Sequence, residues 1–140
     1  VAKRTQQILR TLSLRLLGLR TTGRYIAHNL FPESEYLRCR YVSQVSKIST
    51  STYRALFAAL RKWGVSDRLG EIEVPTLYLA SEHDYFPVAT HQAFANCLPN
   101  VTMTVIPNSH HAVAMERPVE FNAILSDFLM PYRGDREYNP

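Results

Sequence analysis

The sequence predicts an α/β fold in which helices come first and a short parallel sheet follows. Residues 1–68 place their apolar side chains at helical spacing and contain no strand-like run. Two short apolar runs rich in β-forming residues, 76–80 and 101–106, come only afterwards, and a helical segment follows each. Strand, helix, strand, helix predicts a parallel βαβα unit with a right-handed crossover. Two strands leave long edges of unpaired N–H and C=O groups, whereas parallel sheets normally have several strands and two covered faces. The expected object is therefore an incomplete domain.

The first segment repeats Ile8, Leu12, Leu16 and Leu19 at spacings of four, four and three, and Leu9 and Leu17 widen the stripe. Gly18 and Gly23 bracket its expected end. A turn at 31–36 leads into a second helix, with Pro32 near its start and Glu33 and Glu35 in the first turn, where the helix dipole favours acids. Ser49, Thr50, Ser51 and Thr52 are N-cap candidates for a third helix. Its stripe of Tyr53, Leu56, Phe57, Leu60 and Trp63 reads as core rather than pocket lining, and Gly64 as its stop. The run at 76–80 reads as a buried strand, and residues 88–97 as the crossover helix, ended by Leu98-Pro99-Asn100. Residues 101–106 form the second strand, closed by Pro107-Asn108. The last helix spans 118–129, starts on Pro118 and buries Phe121, Ile124, Leu125, Phe128 and Leu129.

The composition excludes several classes. With 46% hydrophobic and 20% charged residues, the 140-residue chain is neither disordered nor collagen-like. No apolar run approaches the ~20 residues of a membrane span. Cys39 and Cys97 fit neither a disulfide framework nor a zinc motif, so a reduced, cytoplasmic setting is expected. The net charge of +4 is uneven. Lys3, Arg4, Arg10, Arg15, Arg20 and Arg24 give residues 1–32 a charge of +6 with no acid, and the remainder is slightly acidic. Such an end suits a solvated helix face, a membrane surface, nucleic acid or an Arg-rich presequence. Few aromatics lie there to stack on bases, so nucleic acid is not expected as a partner. The first residue is Val rather than Met, which suits a processed or truncated product.

Ligands of open α/β sheets bind at the carboxyl ends of the strands. Ser81-Glu82-His83-Asp84 and Asn108-Ser109-His110-His111 occupy those positions. A carboxylate and an imidazole on neighbouring strand tips can meet; the carboxylate then fixes the tautomer and stabilises an imidazolium during proton transfer. Polar loop residues that only cap the next helix would look similar. The adjacent histidines could suggest a metal, but no i, i+4 His pair or Cys-rich spacing supports one, and no metal or cofactor is expected.

Residues 69–87 (LGEIEVPTLYLASEHDYFP) and 105–122 (VIPNSHHAVAMERPVEFN) resemble the late acid-bearing strand and the catalytic His loop of α/β-hydrolases. In that family a strand of this type ends in a loop with an Asp and a Pro three residues on, here Asp84 and Pro87. Four residues separate the family's His from a Glu-x-Pro. Counting back from Glu116 selects His111, with His110 where the family usually has Gly. The resemblance implies that Asp84 orients His111 and that His111 is the base. It further implies that residues 1–68 form a helical cap, 69–130 the C-terminal part of the core and 131–140 a tail. None of the five glycines belongs to a G-x-S-x-G nucleophile motif. The chain thus reads as a fragment of a hydrolase of small esters or related uncharged molecules, inactive alone and prone to self-association through its sheet edge. The alternative is a non-catalytic remnant that binds a partner or membrane surface through the basic N-terminal helix.

Overall fold

A computed structural model of the chain describes residues 18–132. The leading repeat of Ile8, Leu12 and Leu16, with most of the basic end, lies outside the described residues. The chain forms two compact units that divide between Val65 and Ser66.

The first unit holds α1 (Gly18–Leu30), α2 (Glu35–Val45) and α3 (Thr50–Lys62). The helix expected over residues 8–19 lies almost wholly outside the described residues, whose first helix is α1. Gly18, at φ +74°, stands at its start, and Gly23 lies within it. Helix α1 buries Leu19, Thr22, Gly23, Ile26, Ala27 and Leu30, a continuous three-and-four spacing. The glycine is there for contact, because a Cβ on Gly23 would sit 2.7 Å from Cγ1 of buried Val45 on α2. Overpacking of this kind costs ~1–3 kcal/mol, against the ~1 kcal/mol a helix gains on Gly to Ala. Gly23→Ala is expected to lower the urea midpoint of the chain, and a second change, Val45→Ala, to recover part of the loss. A raised midpoint in the single variant would contradict this packing.

Both later helices start on side-chain caps. Ser34 accepts from the N–H of Leu37, and Ser49 from that of Thr52. Arg38 reaches back to donate to the carbonyls of Phe31 and Pro32, which ties the turn to α2. The aromatic stripe of α3 keeps its helical spacing but is not core. Tyr53 and Phe57 are half-buried and stacked, while Leu56, Leu60 and Trp63 are 56%, 65% and 69% exposed.

The second unit holds β1 (Thr76–Ser81), α4 (Val88–Ala95), β2 (Val101–Ile106), the single turn α5 (Val113–Glu116) and α6 (Pro118–Leu129). Short 3₁₀ segments, Ser66–Glu71 and Met130–Tyr132, flank them. The strands pair in parallel, from Thr76 against Val101 to Ser81 against Ile106. A two-stranded sheet cannot bury its strands on both faces. Only Ala80, Ser81 and Ile106, at the carboxyl ends, are buried, so β1 is not the fully buried strand its composition suggests. For the same reason α6 is only half covered. Phe121, Ile124, Leu125 and Phe128 are partly buried and Leu129 is exposed. What the small sheet does secure is the position of its two strand tips.

Candidate active site

The loops after β1 and β2 are laced together before any functional side chain enters. The N–H of Glu82 donates to the carbonyl of Ile106, and that of His83 to the carbonyl of Ser109. Ser109, wholly buried, returns its hydroxyl to the Ile106 carbonyl at 2.7 Å. The carboxylate of Glu82 accepts the N–H of Asn108 at 2.8 Å. Asn108 takes the left-handed φ of +48°, which Asn tolerates better than most residues, and Arg117 clasps its carbonyl with two N–H donors. These bonds close the sharp turn that delivers the next two residues, His110 and His111.

On this frame the two residues singled out from sequence meet. Nδ1 of His111 lies 2.9 Å from Oδ1 and 3.1 Å from Oδ2 of Asp84. A carboxylate only accepts, so Nδ1 carries the proton and Nε2 is left with a lone pair. The Asp84 side chain is 9% exposed, whereas that of His111 is 50% exposed. Asp84 also accepts the N–H of Phe86 at 3.4 Å, which curls the acid loop toward Pro87 and α4. The Tyr85 ring lies beside the imidazole, with centroids 4.8 Å apart. The arrangement is a buried carboxylate that orients an accessible imidazole, which can accept a proton at Nε2 and hold the resulting charge.

His110 serves a different carboxylate. Its Nδ1 donates to Oε1 of Glu116 at 2.7 Å, and its backbone N–H to Oε2 at 2.6 Å. With Glu116 8% exposed, this double contact pins the loop from behind, and the ring standing in place of a glycine is taken up by Glu116. His83 is half exposed and lies 5.4 Å, centroid to centroid, from His110. Among the described residues no group of three or more His, Cys, Asp and Glu side chains could hold a metal ion. None of the described helices is long and apolar enough to cross a membrane.

Sequence reasoning passed over His91. It lies on α4, its Nδ1 is 3.0 Å from the Tyr78 hydroxyl, and its Nε2 is 3.8 Å from Oδ2 of Asp84. The available signal was positional: a strand residue, Tyr78, faces the first turn of the crossover helix behind the acid loop.

No family model matches the chain. It is 38% identical over 77 residues to the protein named "Putative carbamate hydrolase RutD" of Variovorax paradoxus, a match covering 54% of this chain and 29% of that protein. Among solved structures, MenH from S. aureus superposes with a TM-score of 0.72 at 25% identity, over 90% of this chain and 50% of its own. The esterase EaEST from Exiguobacterium antarcticum superposes with a TM-score of 0.77 at 16% identity, over 91% of this chain and 48% of its own, a likeness of fold. The chain thus spans about half the length of the solved structures, and its match to RutD less than a third of that protein. The chain has the fold of the α/β-hydrolases, of whose sheet it carries a βαβα part preceded by helices.

Proposed function

We propose that this chain is the cap and C-terminal part of an α/β-hydrolase, and that Asp84 and His111 are the acid and base of its catalytic triad. The contact of His111 Nδ1 with the buried Asp84 carboxylate, at 2.9 Å, carries this reading. It leaves Nε2 on a half-exposed ring as the proton acceptor. In the complete enzyme His111 takes the proton of the nucleophile as that group attacks a carbonyl carbon. It returns the proton to the leaving group, then takes one from the water that releases the product. Asp84 holds the tautomer and stabilises the imidazolium. The nucleophile and the oxyanion donors come from a segment outside this sequence, because no glycine-flanked Ser, Asp or Cys occurs in it.

Residues 18–65 form part of the helical cap in this reading, and the open edge of β1 is where the remaining strands pair. In the isolated chain that edge favours self-association. The substrate is a small, uncharged ester or a related carbonyl compound. Similarity to a protein named for carbamate hydrolysis supports a carbonyl substrate.

The experiment joins this chain to an upstream segment bearing a G-x-S-x-G motif, in the longer protein that contains both. Saturable hydrolysis of short-chain p-nitrophenyl esters is the expected result. A longer protein that carries such a motif, folds and turns over neither esters nor carbamates would refute the substrate class.

A further inference from the structure

The strongest unexplained group in the second unit is the imidazole of His91. Its side chain is 12% exposed, and its Nε2 is buried without a hydrogen-bond partner. Phe86 meets the ring edge-on and Tyr78 lies tilted against it, with centroids 6.2 Å and 5.9 Å away. An apolar ring would fill this space without leaving a polar atom unpaired, and buried polar atoms are nearly always paired. The imidazole therefore calls for an electrostatic partner, and the nearest charge to Nε2 is the Asp84 carboxylate at 3.8 Å.

We propose that His91, held in one tautomer by Tyr78, is a positioning residue that presents its Nε2–H to Oδ2 of the Asp84 carboxylate and holds that carboxylate against His111. The inference rests on the triad reading given above. Two lone pairs cannot usefully face each other, so the 3.0 Å contact between the Tyr78 hydroxyl and Nδ1 needs one proton between them. The Tyr78 pKa is raised, first by burial and then by the charge of Asp84, so Tyr78 remains a phenol with a proton to give. When the phenol donates to Nδ1, the imidazole proton resides on Nε2. That places the positive end of an N–H dipole beside Oδ2. The opposite tautomer would set a lone pair against the carboxylate. At 3.8 Å the contact is longer than a hydrogen bond, and catalytic contacts of this sort commonly tighten once substrate is bound. The series Tyr78, His91, Asp84, His111 thus runs from β1 through α4 to the acid loop and the His loop.

Two measurements test this. The first needs no variant: ¹⁵N NMR of the histidine-labelled 140-residue chain, in solution or by magic-angle spinning if it self-associates. A neutral His91 protonated at Nε2 is expected, and Tyr78→Phe should give a mixture of tautomers. A His91 protonated at Nδ1 in the unaltered chain would overturn the proposal. The second uses the longer hydrolase. His91→Phe is expected to lower kcat for ester hydrolysis by about 10–100-fold with KM little changed, in the range of lost supporting contacts behind functional ligands. His91→Gln, whose amide can still donate toward Asp84, should recover most of that loss. Unchanged kcat in His91→Phe, with activity still dependent on His111, would refute the positioning role and leave the triad standing. Activity indifferent to His111 would refute the triad itself.

Discussion

Replacing His111 by Ala in the complete hydrolase is expected to reduce kcat by several powers of ten, the scale on which triad bases act. The neighbouring His110→Ala should cost far less. The contrast follows from which carboxylate each ring faces. His111 gives Nδ1–H to Asp84 and keeps a half-exposed ring for chemistry, whereas His110 spends its ring nitrogen and its backbone N–H on Glu116. Removing the His110 ring leaves the backbone bond in place, so the loop loses one anchor and keeps the other. Steady-state kinetics of the two variants on one ester distinguishes them. Equal losses, or the reverse order, would move the catalytic position by one residue.

Asp84→Asn is the second large effect, expected at about four powers of ten in kcat. An amide keeps the size of the carboxylate but offers one acceptor and one donor. Its NH₂ can compel His111 to accept at Nδ1, which puts the proton on Nε2 and removes the base. The buried setting of Asp84 adds to the effect, because little solvent is available to replace the lost charge. The measurement is kcat across pH for Asp84→Asn and Asp84→Glu. Asp84→Glu should retain more activity, since it keeps the charge and misplaces it only by a methylene. An Asn variant with near-normal kcat would show that Asp84 does not orient the base.

The second unit was largely legible in the sequence, for local reasons. Its strands are short apolar runs bounded by Pro75, Pro107 and Asn108, and its last helix opens on Pro118, so punctuation and pattern agree on the bounds. Parallel pairing, which sets Ser81 beside Ile106, brings the two polar loops to one end, and the resemblance to α/β-hydrolases is what singled out Asp84 and His111 within them. Helix α1 shows no clear apolar stripe in the sequence because Thr22, Gly23 and Ala27 lie on its buried face. Small and polar residues blur the apolar contrast, and a glycine chosen for close approach to Val45 resembles a stop. The α3 stripe shows that amphipathicity marks a face meant for cover without naming the cover. Leu56, Leu60 and Trp63 have the right spacing and remain exposed. His91 escaped notice, as did the pairing of Glu116 with His110, because these contacts are set by tertiary structure, which no local pattern records.

In the proposed reading this chain supplies the acid and base of a hydrolase but neither its nucleophile nor its oxyanion donors. The most direct measurement is p-nitrophenyl ester hydrolysis by the 140-residue chain alone beside the longer protein that joins it to a G-x-S-x-G segment, each with and without His111→Ala. No turnover is expected from the chain alone, and the joined protein is expected to show turnover that His111→Ala abolishes. Saturable turnover by the 140-residue chain itself, lost on His111→Ala, would contradict this reading.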